Sequence, residues 1–292
     1  MTSDSSALEF TGERFTPECV REMAYEHWHR YAWAAQVVAG KSVLDAACGE
    51  GYGSNLLAAR ARSVTGLDIS EAAIEHARQR YAEDSIKFDC GSATELPYED
   101  HSFDVVVSFE TLEHLEEQDR LLTEFRRVLR PEGFLLISSP DRKTYSDDTG
   151  YNNPYHVREL YRHELEALIG GFFPASRLYG QKLMFVSALW QEQGHGAHQF
   201  LTSDNASVSA SPAPDYPPLY FIVSAAAREE LLPEMPGLSL YGDREESVYE
   251  HYNEEIRRHI QAGHLLAERD AEIARLRRQL QKPWWQRLFK RS

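Results

Sequence analysis

Cysteine is scarce in this chain of 292 residues: Cys19, Cys48 and Cys90, an odd and widely spaced set. They fit neither a disulfide framework nor a zinc-binding spacing, and a reducing cytoplasm is the expected setting. Positive charge is also short, with 31 Lys and Arg against 46 Asp and Glu and a formal net charge of −15. A broad nucleic-acid surface needs clustered cations to displace counterions, so no nucleic-acid partner is expected. No apolar run approaches the roughly 18 residues of a membrane span. The opening Met1-Thr2-Ser3-Asp4-Ser5-Ser6 has neither a basic nor an apolar stretch, so no cleaved leader is expected.

What is present is alternation. A helix with Ala24, Trp28, Tyr31, Ala32 and Ala35 among its apolar and aromatic positions is predicted over 23–39. Strands are predicted at 41–45, 63–68, 86–90, 103–109 and 133–138, with helices at 52–60 and from Ser70 to about Tyr81. Leu121, Leu122, Phe125, Val128 and Leu129 form one helix face, stopped before Pro131. A helix at 161–169 should end at Gly170-Gly171, followed by strands at 175–180 and 219–225. Alternating elements imply a mostly parallel sheet covered on both faces. Residues 191–218, rich in Gly, Ser, Ala, His and Pro, read as a long mobile insertion.

The most informative segment is Val43-Leu44-Asp45-Ala46-Ala47-Cys48-Gly49-Glu50-Gly51-Tyr52-Gly53, an apolar strand entering a glycine-rich turn. Val64-Thr65-Gly66-Leu67-Asp68 follows, a second strand closed by a carboxylate. This is the signature of a nucleotide-binding βαβ unit: glycines admit the ligand to the backbone and the later acid accepts from ribose hydroxyls. The glycines are spaced G-x-G-x-G rather than G-x-G-x-x-G, and Asp45 closes the strand. A compact acidic turn suits an adenosyl ligand with a cationic amino-acid end better than a pyrophosphate.

The segment resembles motif I of the class I S-adenosylmethionine (SAM) dependent methyltransferases, and the resemblance extends over about 42–226. It implies a Rossmann-like, seven-stranded α/β sheet ending in an antiparallel hairpin, from which the insertion hangs. It also implies SAM as cofactor, with Asp45, Ala47, Gly49 and Gly51 around the methionine part, Asp68 on the ribose and Ile69 against the adenine. Ser92 stands where the family's adenine-binding acid usually sits, with Ala93 beside it. Phe109 and Glu110 fall beyond the fourth strand, at the rim of the site, and His114 follows in a Glu-His-Leu triplet.

Thr11-Gly12-Glu13-Arg14-Phe15 and Glu26-His27-Trp28-His29-Arg30-Tyr31 look like the N-terminal segment of bacterial methyltransferases of O-antigen and surface-glycan assembly. On that resemblance Arg30 would pair with the SAM carboxylate, while Arg14 and Phe15 would close over the cofactor. The chain-terminating members also carry a kinase domain, absent from these residues. Asn153-Pro154-Tyr155-His156 matches a pattern of sugar methyltransferases. A sugar hydroxyl needs a proton acceptor, and the candidates are His156, then His114, then Glu110. No convincing metal-ligand cluster is visible, so no metal is expected.

Beyond residue 227 the composition turns to Glu and Arg, with aliphatics at 256, 260, 265, 266, 273, 276 and 280. A long helix with a short, imperfect coiled-coil seam is expected, suited to pairing with a second copy. The final Lys282-Pro283-Trp284-Trp285-Gln286-Arg287-Leu288-Phe289-Lys290-Arg291 is basic and aromatic, suited to peripheral contact with the inner face of the cell membrane. The expected divisions are thus a lid segment 1–40, a methyltransferase domain 41–227 and a helical extension 228–292. Three functions compete: O-methylation of a surface glycan or its lipid-linked precursor, methylation of a quinone or other small molecule, and a non-catalytic SAM-binding scaffold.

Overall fold

A computed structural model describes residues 22–81, 83–193, 199–203 and 207–281. Arg14, Phe15 and the basic aromatic tail lie outside the described residues. The chain divides into two compact units, Met1–Tyr241 and Gly242–Ser292.

The first unit begins with α1 (Glu22–Ala34), then alternates β1 (Ser42–Ala46), α2 (Tyr52–Ala58), β2 (Ser63–Asp68), α3 (Glu71–Arg80), β3 (Ile86–Cys90) and β4 (Phe103–Ser108). There follow α4 (Gln118–Val128), β5 (Leu129–Pro140), α5 (Arg162–Phe172) and β6 (Ala175–Gln181). A hairpin of β7 (Phe200–Ser203) and β8 (Val208–Ser211) precedes β9 (Tyr220–Ala226). Among the described residues seven strands make one sheet, ordered β3-β2-β1-β4-β5-β9-β6. The ladders from β3 across to β5 are parallel, and β9 runs antiparallel to both β5 and β6. Strand order reverses at β1, between β2 and β4, and crevices that take ligands form at such a switch point, beyond the carboxyl ends of the strands.

The central strands are apolar on both faces because helices cover both. Leu44, Val106, Leu135 and Ile137 pack under α4 residues Leu121, Leu122 and Phe125. Val43, Val105, Val107 and Leu136 face the other way, toward Tyr31, Trp33 and Ala34 of α1.

Several boundaries depart from the sequence reading. The N-terminal helix stops at Ala34, and the chain turns before Gly40, whose φ of +70° favours glycine. α5 continues through Gly170-Gly171 to Phe172. Leu165, Ile169 and Phe173 are all buried in one cluster, and that packing outweighs the roughly 1 kcal/mol that each helical glycine costs. The insertion does hang between the last two strands of the sheet, but it carries its own β7–β8 ladder. Residues 228–241 stay with the first unit: Leu232 is buried in the core, His29 Nε2 lies 2.9 Å from Ser239 Oγ, and Tyr25 packs edge-on to Tyr241.

In the second unit, α6 (Ser247–Leu280) is one 34-residue helix. Its start is fixed by Asp243, whose carboxylate accepts from the backbone and hydroxyl of Ser247. Ile256, Ile260, Leu265, Leu266, Ile273, Leu276 and Leu280 are exposed along it. No helix among the described residues is long and apolar enough to cross a membrane.

Gly53 at the start of α2 shows how closely the first unit is packed, since an added Cβ would lie only 2.2 Å from the Tyr31 ring. Gly53→Ala should destabilise the fold by about 1–3 kcal/mol through overpacking, read as a lower urea midpoint at unchanged slope.

Candidate functional site

The turn after β1 is built from left-handed backbone. Ala47, Gly49 and Gly51 have φ of 61°, 57° and 91°. Left-handed backbone comes readily to glycine, and a non-glycine residue in it, as at Ala47, is an uncommon choice. Asp68, the last residue of β2, locks the turn in place: its Oδ2 accepts from Gly49 N at 2.9 Å and its Oδ1 from Ser70 N at 2.8 Å. Above this turn lies a cavity of about 550 Å³. Its walls include Ala47, Gly49, Asp68, Ile69, Ser92, Ala93, Phe109 and Glu110, eight of the sequence-predicted site residues, gathered from the ends of β1, β2, β3 and β4. The volume suits a nucleoside-sized ligand, and the exposed Ile69 and buried Phe109 give it apolar surfaces. A carboxylate, left-handed backbone and flanking apolar residues together fit SAM.

Three expected cofactor residues do not line this cavity. Asp45 is fully buried, and its oxygens are engaged by Tyr31 Oη at 3.0 Å and Ser54 Oγ at 2.6 Å. Gly51 faces inward, where a Cβ would lie 2.8 Å from the Phe88 ring, so its glycine serves packing and the helix entry. Arg30 is 1% exposed and held inside the protein. Its Nη1 donates to Gln181 Oε1 at 2.8 Å and lies 3.7 Å from Glu110 Oε1, with its guanidinium over the Tyr220 ring. Arg30 thus reaches the cavity through Glu110, whose backbone N–H donates to Ser138 Oγ and whose Oε1 accepts from that hydroxyl.

In their place the cavity takes His27 and Tyr31 of α1 and Tyr52 of α2. His27 Nδ1 lies 3.2 Å from Tyr52 Oη, and the Tyr31 ring meets those of Tyr52 and Phe109 edge-on. Burial, and then the charge of Arg30, hold His27 well below the usual histidine range, so it stays neutral. The sequence signal for these residues was the aromatic helix itself, whose composition pointed only to packing on the sheet.

His114 and Tyr155 also line the cavity. The His114 turn is stapled to the loop after β5: Glu113 O accepts from Val157 N at 2.8 Å and Arg158 N at 3.0 Å. Gln118 Nε2 donates to both Leu112 O and Arg158 O. His156, the first-choice proton acceptor, is not on the cavity wall. It stands behind His114, ring centroids 5.1 Å apart, stacked on Tyr145, with its Nδ1 2.6 Å from Glu159 Oε1. The fold thereby brings Glu113, His114 and His156 together, a group of metal-ligand type that their positions in the sequence did not show.

The buried Asp45 carboxyl is pushed up to about 6, because loss of water outweighs its two hydroxyl donors and Asp68 adds its own charge. A folded value above the unfolded one favours the protonated form. The contribution to stability is therefore full below the unfolded value of about 3.9 and is lost as pH rises through about 6. Asp45→Asn should gain on the wild type by on the order of 3 kcal/mol between pH 4 and 7.5 in the ligand-free protein. Unfolding free energies across that range check it, and a pH-independent difference between the two proteins would contradict it.

Comparison with known proteins agrees with this architecture. The family described as "Methyltransferase domain" matches residues 44–137. A probable S-adenosylmethionine-dependent methyltransferase of Mycolicibacterium smegmatis is 46% identical over 168 residues, 56% of this chain and 64% of that protein. A phthiotriol/phenolphthiotriol dimycocerosates methyltransferase of Mycobacterium ulcerans is 40% identical over 113 residues, 38% of this chain and 41% of that protein. The match thus spans less than two thirds of either relative's length. A solved SAM-dependent methyltransferase from Thermotoga maritima shares the fold, with a TM-score of 0.51 and 18% identity, over 70% of this chain and 91% of that one. The chain is thus similar to SAM-dependent methyltransferases in sequence over residues 44–137 and in fold, and the turn at Gly49 and the acid at Asp68 lie inside the matched segment.

Proposed function

We propose that this chain transfers the methyl group of SAM to a sugar hydroxyl of a bacterial surface polysaccharide or its lipid-linked precursor. The observation that carries methyl transfer is the convergence of the left-handed turn and Asp68 on one cavity at the switch point of the sheet. Support for a polar acceptor comes from the cavity rim, where His114 and Tyr155 sit with His156 behind them. Tyr151 and Tyr155 are about half exposed nearby, and aromatic faces beside hydrogen-bonding groups suit a sugar ring. The Glu26-His27-Trp28-His29-Arg30-Tyr31 segment, similar to that of glycan methyltransferases, adds to this reading.

Bound SAM supplies an electrophilic methyl for in-line transfer. The protein's part is to position and to dry the site. Asp68 holds the ribose end, while Phe109, Tyr31 and Tyr52 exclude water from one wall. His114 and His156 activate the acceptor hydroxyl. An acceptor screen tests the assignment: lipid-linked oligosaccharides should be methylated, as seen by mass spectrometry. Turnover of quinones alone would replace the glycan with a small-molecule acceptor, and SAM binding without any turnover would favour a scaffold.

Asp68→Ala removes the ribose acceptor and unties Gly49, and should weaken SAM binding by about 1.5–3 kcal/mol. Calorimetry showing wild-type affinity would remove Asp68 from the cofactor site. His156→Ala should lower kcat by about two to four orders of magnitude with SAM affinity nearly unchanged. Full turnover in that variant would leave His114 to act alone.

A further inference from the structure

We propose that Glu113, His114 and His156 bind a divalent transition-metal cation at the rim of the cofactor cavity. Each offers one ligand atom, and the three atoms lie within 4.8 Å of one another. Two imidazoles with one carboxylate form a donor set that takes zinc, iron(II) or manganese(II) and leaves coordination positions open. Metal bonds of about 2.0–2.2 Å hold neighbouring ligand atoms about 3–3.5 Å apart. Closing the site therefore takes side-chain shifts of about 1 Å, and His114, 31% exposed, is free to make one.

The histidines are already oriented as metal ligands are. His114 Nδ1 lies 3.0 Å from Tyr155 O, and a carbonyl accepts only, so Nδ1 carries a proton and Nε2 is the nitrogen left for a metal. That Nε2 lies 3.9 Å from Glu113 Oε1. His156 Nδ1 is held in the same way by the Glu159 carboxylate at 2.6 Å. A carbonyl or carboxylate behind the far nitrogen is the outer-shell arrangement that fixes tautomer and ring direction in metal-bound histidines. The backbone staple from Glu113 O to Val157 and Arg158 holds the two ligand-bearing segments in register.

The ion's use in catalysis rests on the methyl-transfer reading above. Its open positions would adjoin the wall formed by His114 and Tyr155, and a hydroxyl oxygen bound there becomes more acidic. In this arrangement His156 acts as a ligand, and Glu159 is a positioning residue that acts through it.

The test is titration of the EDTA-treated full chain with Mn²⁺, following the free-ion signal by electron paramagnetic resonance. One ion should bind per chain, with His114→Gln, Glu113→Gln and Glu159→Gln each weakening it about 10- to 100-fold. His114 is partly exposed, so its variant reads the site even if replacing the buried Glu113 unfolds the protein, which circular dichroism would show. No binding at about 1 mM Mn²⁺, or equal binding in the wild type and His114→Gln, overturns the cation site at the affinities typical of such ligand sets. Calorimetry with SAM in EDTA separates the two readings. SAM binding without Mn²⁺ binding overturns the ion alone, and leaves His156 to take the proton directly. Mn²⁺ binding that is lost in His114→Gln, in a chain that does not bind SAM, supports the ion site and overturns methyl transfer.

Discussion

The carboxyl of Asp45 joins three elements at the point where the cofactor turn begins. It sits at the end of β1, accepts from Tyr31 of α1 and from Ser54 of α2, and has no contact with water. A buried carboxyl is tolerated only when its oxygens are satisfied, so the helix before the sheet and the helix after the first strand are held to one geometry. The rest of the cofactor wall depends on that triangle. Tyr31 and Tyr52 enter the cavity from the same two helices, and Gly53 is a glycine because Tyr31 occupies the space a side chain would need.

The α/β alternation, the sheet and the cofactor cradle were legible in the sequence because they rest on local signals. β1, β2 and β3 end within a residue of their predicted limits, and Gly49 and Asp68 meet as a nucleotide-binding spacing requires. What was not legible depended on contacts distant along the chain. The family resemblance places Asp45 and Arg30 beside the cofactor, and the fold gives both buried internal partners that no local signal announces. Gly170-Gly171 reads as a helix stop, and only the docking of Phe173 against Leu165 and Ile169 carries the helix past it. The Glu113, His114 and His156 group escaped for the same reason: two of its members leave β4, the third follows β5, and the staple between them is a backbone contact.

The two ends of the site differ in how they are built. The floor of the cofactor end is a backbone turn, fixed by the Asp68 carboxylate, which accepts from two peptide N–H groups. The proposed acceptor end is side chains on loops: His114 after β4, and Tyr155 and His156 after β5, aligned by Tyr145, Glu159 and Gln118. Under the proposed function, rigid backbone would meet the constant ligand and side chains on stapled loops the variable one, a division expected where one sheet serves many acceptors.

The roots of the insertion between β6 and β9 are pinned independently of what lies between them. Leu219 N donates to Gln181 O at 2.9 Å, and the β6–β9 ladder is continuous from Gln181↔Tyr220 to Ala175↔Ala226. Gln181 also anchors Arg30 and, through its amide, Glu26 O. Lengthening or trimming the connecting segment therefore costs little beyond loop entropy, which grows slowly with length. Changes of length in that segment would leave the strand pairing and the cofactor chamber beside it in place.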